Sequence, residues 1–339
     1  MQHVTFTLRT VTPLFLAGAD QTQAELRAPT FRGLMRYWYR ALIGGIVGAN
    51  ERTLPQVSAA ETAVFGATDK GSAVGIRVSE ASEGSQRYRK ENYSRANTSG
   101  KDYLLWSMAE SGKGDRYKPD RLYFPQDTKF KVSLFSRGDD EANLRQAVSS
   151  FWLLTHLGGI GSRSRRCGGS IEADVTNDSF AGFNFATPKD AESLQIQLRA
   201  GITLARQVGA LQLDKENKKT MQAPIAQTAF DALTQSTCKI WILREKELPW
   251  STADAAMRNL GASLQDYRSE FPLQEREVFG LPLGRNNARR ASPLLLRVTK
   301  LQAGEHVGVA VLFKTGNPQS YALIENWANE FTGKREVTF

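Results

Sequence analysis

The sequence predicts an α+β fold made of two tandem domains, each in the order β-α-β-β-α-β. Three observations predict it. Val4–Val11 alternates apolar residues with threonines and an arginine, as a half-buried strand does. Phe31–Leu42 and the run ending at Leu157 repeat apolar residues at helical spacing, with strand-like segments after each. A similar order of elements recurs between Thr237 and Phe339. Four antiparallel strands backed by two helices would bury such a set of elements. At 339 residues the chain is long enough for two such units, each with its own core.

The first strand leads into a loop, Thr12–Pro29, with two prolines and a glycine. A helix is expected from Phe31, with Thr30 as its N-cap after Pro29. Its apolar stripe is Phe31, Leu34, Met35, Trp38 and Leu42, which belongs to the core. Its other side carries Arg32, Arg36 and Arg40 at i, i+4 and i+8. These three have no acid at helical spacing; the nearest acid before them is Glu25. A solvated basic face is the plain explanation. An anion site at a helix N-terminus is the functional one, and Gly33, costly in a helix, fits close passage of another backbone. A second strand is expected at Ala73–Ser79. Residues 80–121 then form a polar insertion with nine lysines or arginines against seven acids, and Tyr88, Tyr93, Tyr103 and Trp106 scattered among them. These aromatics either stack on bases or pack within the insertion. Lys129–Phe135 is the third strand. A helix capped by Asp139 or Asp140 follows, with Leu144, Val148, Phe151 and Leu154 on one face.

Gly158 ends that helix and opens the loop Leu157–Ile171, LGGIGSRSRRCGGSI. It holds five glycines, three arginines, three serines and no acid. Glycine lets a backbone approach a ligand closely, and guanidinium groups match phosphate oxygens. A glycine-rich turn with solvated arginines is the alternative. The loop has no lysine for a Walker motif, and Ser164 stands where a dinucleotide fingerprint needs its last glycine. Small phosphate cofactors are therefore disfavoured and a polymer favoured. Ile171–Thr176 is the fourth strand.

The segment Asn177–Pro188 reads as a boundary, giving domains over 1–180 and 181–339. Ala191–Leu213 is ambiguous between strand and helix, and 214–221 is a hydrophilic loop. Strands are expected at Thr237–Leu243, Leu294–Leu301, His306–Lys314 and Val337–Phe339, and helices at Thr252–Phe271 and Pro318–Phe331. A second basic loop is VFGLPLGRNNARRASPL, and from Arg285 to Arg297 the chain carries four arginines, Arg285, Arg289, Arg290 and Arg297, and no acid.

Hydrophobic residues make up 41% and charged residues 23%, ordinary for a soluble protein. The net charge of +9 favours an anionic partner, nucleic acid or membrane surface. No transmembrane span or signal peptide is evident. The single amphipathic helix near the N-terminus needs its Trp38 stripe for the core, which argues against membrane binding. Two distant cysteines fit a reducing cytoplasm. No metal-ligand spacing or cofactor motif is present. Of three histidines, only His156 adjoins a candidate RNA surface, and its place at the end of an apolar helix suits a packed residue. His3 and His306 look structural.

Three stretches, Thr12–Leu42, His156–Ser170 and Phe279–Leu294, together resemble the RAMP superfamily of CRISPR-associated proteins, and within it the first RAMP subunit of type III-B effectors. The pattern Pro-x-x-Arg-Gly-x-x-Arg is met by Pro29, Arg32, Gly33 and Arg36. The glycine loop falls after the second helix, where the superfamily has it; Cys167 departs from a usual glycine. The resemblance implies two ferredoxin-like (RRM-like) domains with insertions. It also implies a non-catalytic subunit that binds the 3′ region of the CRISPR RNA, target single-stranded RNA, or both, beside other RAMP subunits in antiviral defence. The expected RNA-binding residues are Arg27, Arg32, Gly33, Arg36 and Arg40; Gly159, Gly161, Ser162, Arg163, Ser164, Arg165 and Arg166; and Arg285, Arg289 and Arg290. The start of helix one and the glycine loop are expected to form one cleft. The rival reading is a metal-independent endoribonuclease that processes CRISPR RNA, as some relatives do, with a histidine as general base.

Overall fold

The computed structural model describes residues 2–91, 99–138, 141–175, 182–215, 228–245, 248–280, 290–316 and 321–339. The first half contains β1 (His3–Thr10), α1 (Ala28–Val47), α2 (Leu54–Phe65), β2 (Val74–Val78), β3 (Gln86–Arg87), α3 (Gly100–Leu105), β4 (Leu122–Tyr123), β5 (Lys129–Ser136), α4 (Glu141–Leu157) and β6 (Ile171–Val175). The second contains α5 (Ala191–Lys215), β7 (Cys238–Leu243), α6 (Ala253–Ser269), α7 (Leu273–Arg276), β8 (Leu294–Lys300), β9 (His306–Phe313), α8 (Tyr321–Asn329) and β10 (Arg335–Glu336).

Two four-stranded antiparallel sheets result, ordered β2-β5-β1-β6 and β10-β7-β9-β8. Ranked along the chain, both run second, third, first, fourth, the second sheet being read from its opposite edge. The recurrence of element order is therefore also a recurrence of strand order.

The layers are not independent. Sheet one buries alternate residues of β1 and β5, so it has one covered face. Every residue of β9 is buried, because sheet two is covered on both faces. On one side α6 and α8 supply Leu260, Leu264, Ile324 and Trp327. On the other, α1 and α4 supply Trp38 and Leu154 against Val309, Val311 and Phe313. The Trp38 and Phe313 rings lie 6.0 Å apart. Helix α4 is buried almost all round from Leu144 to Leu157, as expected of a helix between two sheets.

Several boundaries differ from expectation. Helix α1 starts at Ala28, not Phe31; Arg27 holds the N-cap position in extended conformation and Pro29 sits in the first turn. Thr30 lies inside the helix. The Asp139 and Asp140 caps fall outside the described residues. The ambiguous segment from Ala191 is a 25-residue helix, with Leu194, Leu198, Ile202 and Ala205 in the core beside α1 and α4. The last strand precedes Val337 rather than starting there.

The insertion is ordered by packing on the second half. Gly100 of α3 meets Gly261 of α6, and a Cβ on either would strike the other helix backbone. Tyr88 is buried and donates to Asp102; Tyr103 binds Arg268. Trp106 is exposed and covered on one face by the Lys90 ammonium, 3.4 Å from its ring. Tyr88 and Tyr103 are therefore used in packing. Tyr93 lies outside the described residues.

Candidate nucleic-acid interface

The glycine loop folds as a compact knot against the chain's own backbone. Gly161 and Gly169 have φ of 79° and 61°, and Cβ atoms there would run into the carbonyls of Phe15 and Ile160. Gly159 packs near Ser164 and Gly168. The close approach these glycines permit is thus internal. Cys167 adopts a φ of 63°, which glycine would take without strain. Ser162 donates its N–H to Phe15 O at 2.7 Å.

The knot is clipped to β8, the edge strand of sheet two. Cys167 N–H donates to Leu296 O at 2.8 Å, and Leu296 N–H to Arg165 O at 3.3 Å. The arginines strengthen this junction. Arg163 Nε donates to Leu104 O at 2.6 Å. Arg165 Nη1 donates to Ser292 O at 2.5 Å, and its Nη2 lies 3.6 Å from Asp231. Arg166 is only 8% exposed and donates to Phe279 O at 2.8 Å and Leu294 O at 3.3 Å. Solvated arginines on a flexible surface loop are not what the fold contains. Arg297, missed as a site residue, reaches back from β8. Its guanidinium is buried and donates to Thr155 O, to Gly158 O at 3.4 Å and to Ile171 O at 2.8 Å. It supplies the cation and donors that the C-terminus of α4 lacks. Burial pushes it down to about 9.

Beside the knot opens a cleft of about 440 Å³, lined by Arg163, Ser164, Arg165, Arg166, Arg268 and Arg290, with Phe279 as apolar wall. Among the described residues no carboxylate lines it. Arg268 lies in the last turn of α6, donates to Tyr103 O–H and packs over the Tyr103 and Phe279 rings. Arg290 is exposed and donates to Tyr321 O–H at 3.3 Å. The cleft thus joins the first basic loop to the end of the second. Arg285 and Arg289 lie outside the described residues. Arg268 carried a weak signal in the sequence, a basic residue closing a capped amphipathic helix. Arg297 carried a clearer one, a cation in the middle of the apolar strand LLLRV.

The arginines of α1 have no acid at helical spacing, as expected, but they are engaged by the neighbouring helix α2. Arg36 and Arg40 both pair with Glu61 of α2, the latter at 2.9 Å, and Glu61 is buried. Arg32 Nη1 donates to Phe65 O, the last residue of α2, at 3.4 Å. The acid comes from the next helix, which periodicity within α1 cannot reveal. Their contacts run to α2, whereas those of the glycine-loop arginines run to the second half, to the insertion and, for Arg165, to Tyr37 on another side of α1. Among the described residues the α1 arginines do not line the cleft beside the knot. Arg27 pairs loosely with Glu25 at 3.7 Å. Gly33 is exposed, and a Cβ there would meet nothing within 4 Å.

His156 stacks on Trp152 with centroids 4.2 Å apart, and its Nδ1 lies 2.9 Å from Trp152 O. Burial, with Arg297 nearby, pushes its imidazole down to about 3, so it is neutral near pH 7. It is a packed histidine. Among the described residues no helix is long and apolar enough to cross a membrane.

The RAMP superfamily model matches residues 7–172. The Pyrococcus furiosus protein named CRISPR system Cmr subunit Cmr1-2 is 31% identical over 189 residues, covering 52% of this chain and 98% of that one. Cmr1-1 of the same organism is 26% identical over 297 residues, 85% of this chain and 80% of that one. The crystal structure of apo Cmr1 from Pyrococcus furiosus superposes with a TM-score of 0.70 at 18% identity, covering 100% and 99% of the two chains. A chain in the structure of type III-B Cmr-beta bound to cognate target RNA gives 0.63 at 12% identity, covering 98% and 99%. The fold is that of Cmr1, and the chain belongs to the RAMP superfamily, among the relatives of the Cmr1 subunits.

Proposed function

We propose that this chain is a non-catalytic RNA-binding subunit of a type III-B, Cmr-type effector complex, built as two tandem ferredoxin-like domains over 1–180 and 181–339. The observation that carries the RNA reading is the cleft with five arginines and no lining carboxylate. Its partners are CRISPR RNA, target single-stranded RNA and neighbouring RAMP subunits, in the cytoplasm. The relative in the Cmr-beta assembly, solved with cognate target RNA, supports that choice of partner. The cleft lies between the halves, so Arg268 and Arg290 join the RNA-contacting set, with Arg163, Ser164 and Arg165. The α1 arginines and Gly33 form a separate half-exposed face for RNA or a neighbouring subunit.

The nuclease reading needs a group able to take a proton near neutral pH. His156 is depressed far below that range and held by Trp152, which disfavours it. The test is purification of the tagged chain from its host. Co-purified RAMP subunits and small RNA of defined length are expected. Purified protein incubated with labelled CRISPR-repeat RNA is expected to give no discrete products; discrete products lost in His156→Ala would restore the nuclease reading.

A further inference from the structure

We infer that the arginine cleft is built for a phosphate monoester at an RNA end, and not for internal phosphodiesters alone; this rests on the RNA-binding reading above. The cleft holds more positive charge than one backbone phosphate can balance. Five guanidinium groups line it, and one carboxylate, Asp231, stands beside Arg165. Arg166 is the telling member. Its Nη groups donate to Phe279 O, Leu294 O and Arg165 O, so its hydrogen-bonding is spent on backbone carbonyls. Its charge is not spent, because carbonyls do not neutralise it. It is a buried cation fixed at the cleft wall, and burial together with Arg163 and Arg268 pushes it down to about 10. Arg163 feels burial and Arg268 in the same direction. These three charges repel one another, and an anion in the cleft relieves the repulsion.

Donors for such an anion remain. Arg163 spends its Nε on Leu104 O, and among the described residues its Nη groups have no acceptor. Arg290 engages one Nη with Tyr321. The Ser164 hydroxyl stands at the same wall. A phosphodiester brings one negative charge. A monoester brings nearly two at neutral pH and three terminal oxygens. In a partly buried site the second charge is weakly screened and favours the monoester. The volume of about 440 Å³ is within the range of small-ligand sites.

The experiment compares one internally labelled, unstructured RNA in three forms: hydroxyl at both ends, 3′-phosphate, and 5′-phosphate. Binding to the full chain is followed by anisotropy at fixed salt. One phosphate-ended RNA is expected to bind at least fivefold tighter than the hydroxyl-ended one, and which end carries the advantage identifies the source. The advantage is expected to shrink from pH 7.5 to 5.5, as the monoester dianion takes up a proton near pH ~6 and becomes a monoanion. Arg290→Gln, at an exposed position, is expected to reduce it, and Arg166→Met to abolish it. Equal affinity for all three RNAs overturns the inference. If Arg268→Gln then weakens all three alike, RNA binding by the cleft stands and only the end preference falls. If none of the RNAs binds, both fall. Inorganic phosphate that competes as well as a phosphate-ended mononucleotide assigns the cleft to the ion and also overturns it.

Discussion

Arg297 and His156 lie side by side at the end of α4, and each has a consequence for stability. Arg297 donates to carbonyls of Thr155, Gly158 and Ile171, all in the first half. Removing it leaves three buried acceptors unsatisfied. Arg297→Leu is expected to lower unfolding free energy by about 2–3 kcal/mol, read from urea denaturation midpoints. An unchanged midpoint would show that water replaces the guanidinium. His156 is depressed to about 3 from an ordinary 6.5. Above pH 6.5 neither folded nor unfolded chain holds that proton, and its contribution is fully present. As pH falls from 6.5 toward 3 the unfolded chain binds the proton and the folded chain does not, so stability is lost, at up to about 1.4 kcal/mol per pH unit. His306, lowered mainly by burial, acts in the same direction. Denaturation at pH 7.5 and 5.5 is expected to show this loss, reduced by about 1 kcal/mol in His156→Gln. A pH dependence unaltered by that substitution would assign it to other groups.

Glycines with similar sequence appearance have opposite roles in their elements. Gly33 is in the first turns of α1, exposed, with open space where a Cβ would stand. Gly33→Ala is expected to stabilise the isolated chain by about 0.5–1 kcal/mol, since alanine favours helix. If a partner backbone passes there, the same change weakens assembly or RNA binding while raising Tm. Gly161 has a φ of 79° and sits against the Phe15 carbonyl. Gly161→Ala is expected to destabilise by about 1–3 kcal/mol and to loosen the clip onto β8. Thermal melts of the two variants moving in the same direction would contradict this division. Glu61 makes a parallel point for α2: it pairs with both Arg36 and Arg40 and offsets one of their two charges, so that face is a salt-bridged helix pair with donors to spare.

At the scale of the whole molecule, α1 and α4 lie between the two sheets and contribute to a core that draws on both halves. Cutting the chain after residue 180 would expose the faces of Trp38 and Leu154 that meet sheet two. The full chain is therefore expected to unfold in one cooperative transition, and residues 1–180 alone to be insoluble or to lack fixed tertiary packing. Two resolved transitions would contradict the shared core. The cleft spans the same junction, with Arg163 from one half and Arg268 and Arg290 from the other. Replacing Arg268 and Arg290 together by glutamine is expected to weaken RNA binding at least tenfold, about 1.4 kcal/mol, and to lower the salt dependence by ~0.7 in log–log slope per lost phosphate contact. Arg77→Gln, at the exposed position of edge strand β2, serves as control. A salt slope unchanged in the double variant would place RNA elsewhere.

Period and order of residues determined the main strands of both sheets and the helices α1, α4, α6 and α8 by themselves, while α2 was not read and α5 stayed ambiguous. The alternation of β1, the stripe of α1 and the apolar run of α4 are local properties, and they carried the β-α-β-β-α-β order of both halves. Composition determined that the chain is basic, and the loop motifs carried the resemblance to the RAMP superfamily. What those arginines touch was decided by tertiary structure alone. Arg36 and Arg40 meet Glu61 from another helix, Arg166 is buried with its guanidinium on the Phe279 carbonyl, and Arg268 joins the cleft from α6 in the other half of the chain. A guanidinium reaches whichever carbonyl, carboxylate or solvent the packing brings near it. Spacing along one helix or loop holds no record of which that will be.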